Sequence, residues 1–429
     1  LSRLSFIKEQ FTPSLVNIYF SIVCFLSPVV GSAVSFVFNG GALWSVLLIA
    51  MKRRRFNTDR PMLAMTAAIY AYCGANLLAS IINNSIVRDA PHLLSLVTFL
   101  FFPISYSTWS ISQKTTLARI ILMSSICACL GALVLAIIQQ YWLGLPRAKG
   151  GAGNAIVFAE VACLSVLICL AGIMSGIEKA RTILICICAV LAGTIAIIYS
   201  GSRIIWLALL IAGIAVLLIN LQTLKGKNAV RLLLLLAAVA IVSAGLGFRV
   251  IVDRADFLFA DWNSLTTHGD YTTALGLRVA LWDIGLKAFR EAPLFGHGMG
   301  AATPLMLQGF QERYGIAEGF SHFHNGFLTA LVEAGILGAV TLAAIFVVAA
   351  RNAAKVLRTS TDAIERFGAT LIVIVVITYL TAGMTGILVG HDILDSVLMI
   401  FLVSGTYLAS GRTIALPEAR MLPAASATP

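Results

Sequence analysis

The sequence predicts an all-α, polytopic membrane protein with about 12 transmembrane helices and one long, partly helical loop on the outer face. Three observations predict it. Of the 429 residues, 59% are hydrophobic and 11% charged, where soluble domains carry roughly 25% charged residues. Mean hydropathy is +0.94. Apolar runs long enough to cross a bilayer, about 20 residues each, recur from Phe11 to Ser410. Between the ninth and tenth runs, residues 253–322 break the pattern with a mixed, water-facing composition.

The expected spans are 14–31, 34–51, 61–83, 91–109, 117–141, 154–175, 182–200, 204–221 and 231–252, then 323–350, 368–389 and 393–410. Residues 1–252 thus hold nine membrane helices, 253–322 the loop, 323–410 three more helices, and 411–429 a tail. The first apolar segment leads straight into a second, so no cleavable signal peptide is expected.

The formal net charge is +11, which could suggest nucleic acid as a partner. Its distribution argues otherwise. With the N-terminus inside, 20 of the 30 Lys and Arg lie on the cytoplasmic side, Lys52, Arg53, Arg54 and Arg55 among them. This is the positive-inside pattern, with both termini cytoplasmic. The charge reports topology, and no nucleic-acid role is expected. All eight cysteines fall in apolar spans. Cys127 and Cys129, like Cys186 and Cys188, are two apart and face opposite sides of a helix. They are expected to be small buried residues.

The loop carries eight acids and five bases, so it is net acidic within a basic protein. It should be a folded, water-facing element. Ala274, Leu277, Leu281, Ile284 and Ala288 repeat at helical spacing, with Arg278, Trp282 and Phe289 on the neighbouring stripe. Pro293 stops that helix, and Gly296, Gly298 and Gly300 make the following turn. No internal repeat of the transporter kind is visible. Glu160 and Glu333 are the main intramembrane charges, both near the outer surface rather than the midplane where carriers place them.

Candidate chemistry gathers on the outer side. Arg203 follows Ser200, Gly201 and Ser202 at the start of the eighth span. A guanidinium beside exposed helix N–H groups suits an anion, although such an arginine can also simply snorkel. Arg278 lies one turn from Trp282 on the loop helix, suited to a phosphate clamp beside a ring, or to a solvated helix face. His324, followed by Asn325, opens the tenth span and could act as general base or as a helix cap. His391, in the outer turn GHD, could reach the same pocket. The GHGMG segment follows no strand, so it reads as a turn rather than a dinucleotide fingerprint. No DxD pair occurs, and Asp253, Asp256 and Asp261 are the one weak cation candidate. No metal and no cofactor are expected.

In the stretch HNGFLTALVEAGILG nine residues separate the His324-Asn325 pair from Gly335, with Gly338 following. Together with RVALWDIGLKAFREAPLFGHGMG and SGSR it resembles the O-antigen ligase and polysaccharide polymerase superfamily of bacterial membrane glycosyltransferases. KGGAGNAIVFAEV, from Lys149 to Val161, resembles a further family segment and brings in Asn154 and Glu160. The resemblance implies a C-type glycosyltransferase of the inner membrane, with its active site facing the periplasm. The donor would be a glycan on undecaprenyl pyrophosphate. The acceptor would be a sugar hydroxyl on lipid A–core for a ligase, or on a lipid-linked repeat for a polymerase. Arg203 and Arg278 would contact the pyrophosphate and His324 would be the catalytic base or acceptor orienter. Asn325, Trp282, Asn154, Glu160 and His391 would line the substrate site. The reaction is expected to be inverting and metal-independent. A lipid-linked glycan flippase and a peptidoglycan-polymerising glycosyltransferase are the competing classes.

Overall fold

A computed structural model describes residues 20–175, 180–220, 227–317 and 319–414 of the protein. The principal helices, in chain order, are α1 (Ala33–Ala50), α2 (Arg60–Ile82), α3 (Lys114–Ile137), α4 (Ala155–Met174), α5 (Ala180–Tyr199), α6 (Arg203–Asn220) and α7 (Lys227–Leu246). They continue with α8 (Phe248–His268), α9 (Ala274–Glu291), α10 (Ala302–Tyr314), α11 (Gly326–Thr359), α12 (Ala363–Gly383) and α13 (Asp392–Ser410). Among the described residues nine helices are long and apolar enough to cross a membrane: α1 to α6 and α11 to α13. The pair α7 and α8 makes a tenth candidate, bent by 70°. The chain is an all-helical, multi-pass membrane protein.

Twelve straight spans were expected, and three places depart from that. The run 91–109 is divided among short helices, Ile86–Ser95, Val97–Leu100 and Phe102–Trp109. Pro91 sits inside the first and Pro103 opens the last. Proline donates no backbone hydrogen bond and crowds the preceding turn, so the run cannot be one helix. In the run 14–31, residues 14–19 lie outside the described residues; the remainder is helical over 20–24, turns, and is helical again over Ser27–Val30, with Pro28 at the start of that turn. The run 231–252 breaks at Gly247, where a Cβ would collide with Ile198 of α5. The expected tail at 411–429 is described only to residue 414.

Two helices carry the centre. In α4 and α13, 94% of the spanning window is buried inside the protein, so neither presents a lipid face. Their sequences are apolar all round, as fully enclosed helices should be. α4 packs against α3, α5, α6 and α12; α13 packs against α12, α1 and the Phe102–Trp109 helix.

The loop builds a second, smaller core. Thr273 caps α9, its hydroxyl accepting from Gly276 N–H at 3.1 Å. α9 buries Leu281, Ile284 and Ala288 of the expected face, with Ala280 beside them, against Met306 and Phe310 of α10, while Leu277 is half-buried and Ala274 is exposed. Phe323, Leu328 and Val332 at the entrance to α11 complete this core.

The loop is also pinned into the bundle. α11 is interrupted at Ala334 and Gly335, where Gly335 has φ +63°. The segment after α9 fills the interruption. His297 N–H donates to Val332 O and Gly298 N–H to Glu333 O, each at 2.9 Å, and Pro293 O accepts from Ile336 N–H at 2.9 Å. Backbone groups freed by the break are thereby paired inside protein, the condition for irregular backbone at membrane depth. From the far side, buried Asp89 accepts from Ser80, Ser85 and the Gly300 N–H. Arg88 donates to His297 O at 2.7 Å. The glycine turn is therefore clamped between two segments distant in sequence.

Candidate functional site

The short turn Ser200–Gly201–Ser202 joins α5 to α6 at the end of the bundle that carries the loop. Ser200 Oγ bonds Ile197 O at 2.6 Å, and Ser202 Oγ bonds Ala155 O at 3.2 Å, tying the turn to α5 and α4. Arg147, from the connection before α4, donates through Nε to Ser200 O at 2.7 Å and through Nη2 to Ser202 Oγ at 2.9 Å. Arg203, the first residue of α6, donates to the backbone carbonyl of Arg254 at 2.7 Å. The Arg254 side chain lies over Gly201, whose φ is +63° and whose absent Cβ would meet Arg254 Nε at 2.5 Å. Arg278 reaches in from α9, held by a bond to Ala274 O at 3.2 Å.

Arg147, Arg203, Arg254, Arg278 and Trp282 line one cavity of about 400 Å³. That volume suits a small ligand or the head of a larger one. Among the described residues no acidic side chain lines it. The positive charges act on each other. Burial, and then the charges of Arg254, Arg278 and Arg203, pull the Arg147 pKa down to about 10. Burial and Arg203 likewise lower that of Arg278, with Asp261 opposing. Like charges crowded in a partly desolvated pocket are relieved by a bound anion. Arg278 Nε and Trp282 Nε1 are buried without a hydrogen-bond partner. Both are donors only, so what they take is an acceptor oxygen.

His324 stands beside this cavity rather than among its lining residues. Its φ is +47°, an uncommon left-handed conformation for a residue with a side chain. Its ring lies 4.4 Å from that of His322 and edge-on to Phe320 at 5.6 Å. Nδ1 is buried and has no hydrogen-bond partner. Burial, then the charges of His322 and Arg278, lower its pKa from 6.5 to about 4. The imidazole is therefore neutral at pH 7 and carries a lone pair that can accept a proton. The Arg278 charge acting on it places the two within one electrostatic neighbourhood.

The remaining sequence candidates occupy other positions. Asn325 caps α11, its carboxamide oxygen accepting from Phe327 and Leu328 N–H at 3.1 Å each. Asn154 caps α4 in the same way, from Ile156 at 2.8 Å and Val157 at 3.4 Å. Glu160 is buried in α4, its Oε1 without a partner. His391 precedes α13, with Nδ1 3.3 Å from the Asp392 carboxylate. Its charge acts on His322, whose pKa burial brings to about 4. None of these four lines the arginine cavity.

Two arginines of the cavity were not singled out from sequence. Arg254 was counted only as a loop base, and Arg147 only among outer-side charges. The signal that picked Arg203, a lone base in a tight outer turn, is absent at Arg147, which shares its connection with Lys149.

Comparison with known proteins adds a family. Residues 187–343 match the family described as O-antigen ligase. The matched stretch contains Arg203, Arg254, Arg278, Trp282, His324, Asn325, Gly335 and Gly338. An uncharacterized protein of Haemophilus influenzae is 22% identical over 348 residues, which cover 76% of this chain and 81% of that protein. The exopolysaccharide production protein ExoQ of Rhizobium meliloti is 36% identical over 92 residues, 20% of each chain. Residues 187–343 are thus similar to the O-antigen ligase family, and a stretch of 92 residues is similar to an exopolysaccharide production protein.

Proposed function

We propose that the protein is a membrane glycosyltransferase that moves an oligo- or polysaccharide from undecaprenyl pyrophosphate to a sugar hydroxyl, in the manner of an O-antigen ligase. One observation carries this reading: four guanidinium groups, that of Arg278 with an unpartnered buried Nε, and the unpartnered Trp282 Nε1 converge on a cavity whose described lining holds no acid. A lipid pyrophosphate is the anion that such a family handles, and it is already a competent leaving group. The protein's tasks are then to hold the pyrophosphate, offset the charge that develops on it, and align the acceptor.

In the proposed reaction the acceptor oxygen attacks the anomeric carbon as the bond from that carbon to the pyrophosphate oxygen breaks. The electron pair leaves on the lipid pyrophosphate, which gains negative charge among Arg147, Arg203, Arg254 and Arg278. The acceptor proton passes to neutral His324. Attack opposite the leaving group inverts the anomeric centre. Trp282 presents its N–H and ring face to the sugar nearest the pyrophosphate. Asn325 and His391 shape the acceptor side through the entrance of α11 and the His322 ring. Asn154 and Glu160 act through α4, which supports the Ser200–Ser202 turn. The site faces the periplasm, with both termini cytoplasmic, the sidedness that the distribution of Lys and Arg favours.

The second reading is a polymerase of lipid-linked repeat units, and the likeness to ExoQ favours it. Its chemistry differs only in the acceptor. Deleting the gene and analysing cell glycans separates the two. Lipid A–core left bare beside accumulated lipid-linked polymer means a ligase. Single repeats without long chains mean a polymerase. Normal glycans of both kinds would sink the proposed class.

A further inference from the structure

A second basic site lies at the opposite face of the bundle and is independent of the glycan reading. The connection from α1 to α2 carries Lys52, Arg53, Arg54 and Arg55. α13 ends beside it: Arg412 N–H donates to Asp59 at 2.9 Å, and Asn57 Nδ2 to Arg412 O at 3.0 Å. The other end of α2 reaches the glycine turn, where Asn83 Nδ2 donates to Gly296 O at 3.0 Å. The 23 residues of α2, at about 1.5 Å each, put roughly a membrane thickness between the two sites.

Lys52, Arg53 and Arg55 are exposed, as bases flanking a membrane helix usually are. Arg54 is only 7% exposed. Its Nε and Nη1 are buried without a hydrogen-bond partner, and no acid pairs with it among the described residues. Burying a guanidinium unpaired is costly. The group lines a cavity of about 30 Å³ with Phe38, Trp44 and Trp109. That space holds about two waters, or the free oxygens of one phosphate, and no sugar. Aromatic residues at a bilayer boundary and a basic run beside a membrane helix are both features of headgroup contact.

We propose that Arg54 and this cavity bind the phosphate of an anionic phospholipid in the leaflet opposite the arginine cavity. The guanidinium takes two phosphate oxygens through Nε and Nη1, the geometry it offers best. Trp44, 56% exposed beside the cavity, receives the start of an acyl chain. Lys52, Arg53 and Arg55 supply the field that selects an anionic headgroup.

The test uses the full chain in mild detergent, melted with phosphatidylglycerol, phosphatidylcholine or inorganic phosphate. Phosphatidylglycerol should raise the melting temperature by several degrees and the other two should not. Arg54→Gln should lose that increment, and Arg351→Gln, an exposed base outside the site, should keep it. An equal increment in Arg54→Gln, or none in the wild type, overturns the proposal. So does an equal increment from inorganic phosphate, which would mark a free-anion site. If Arg54→Gln does not fold, native mass spectrometry of the wild type decides. Retention of phosphatidylglycerol in preference to phosphatidylcholine supports the site, and equal retention overturns it.

Discussion

Arg278 and His324 sit in one electrostatic neighbourhood and differ in what a substitution would cost the fold. Arg278 makes one long bond, to its own helix, and is repelled by Arg203. Arg278→Gln should therefore leave the melting temperature unchanged or slightly raised. Transfer should fall by about 10²–10³, the usual loss when one donor to a developing negative charge is removed. Full transfer by that variant would remove Arg278 from the pyrophosphate site. His324 has the opposite character, because its backbone is left-handed as well as its ring buried. Asparagine tolerates that backbone, so His324→Asn should fold normally while transfer collapses. The pH profile supplies a second check. With its pKa lowered to about 4, His324 stays neutral and able to accept a proton down through pH 5. The acid limb of kcat/KM should then lie below about pH 5, well under histidine's ordinary range. In kcat the limb should move upward, because a bound anion offsets the Arg278 charge that depresses the group. A kcat/KM limb at pH 6–7 would assign the base to another residue.

Among the elements, α11 is the one on which the site's geometry depends most. Its break at Gly335 receives the turn that follows α9, so α9 and its Arg278 are held against the bundle by backbone hydrogen bonds. Gly335 has φ +63° and ψ −159°, a region that glycine alone enters readily, and a Cβ there would strike the Leu294 backbone. Gly335→Ala should cost about 1–3 kcal/mol in strain before any displacement. Its melting temperature should drop and transfer should fall, although the residue touches no substrate. An unchanged melting temperature would mean that the break tolerates a side chain and is not what fixes α9. The spacing of Gly335 and Gly338 after His324 is a sequence motif. Its physical content is a broken helix plugged by a distant turn.

At the scale of the molecule, the proposed sidedness can be tested directly. In a background lacking the exposed Cys127 and Cys188, a cysteine at Thr267 should react with an impermeant thiol reagent added outside. One at Thr359 should react only after the membrane is opened. The reverse pattern would place the arginine cavity in the cytoplasm and end the periplasmic reading.

The same scale separates what was legible in sequence from what was not. Membrane character, helix content, the water-facing loop and the amphipathic face of α9 follow from composition and periodicity, which are local properties. Arg203, Arg278 and His324 were legible because each interrupts an apolar context. The breaks near Pro91, Pro103 and Gly247 carry their own local signals, yet hydropathy windows average over them. Arg147 and Arg254 were counted and passed over, since nothing local distinguishes a cavity arginine from an exposed one. Their convergence with Arg203 and Arg278 depends on which helix ends meet, and contacts across a hundred residues set that. The sequence by itself determined that this chain crosses a membrane and where its unusual residues lie. The tertiary structure alone decided that four of its arginines share one cavity, because charge repulsion and desolvation act through space and not along the chain.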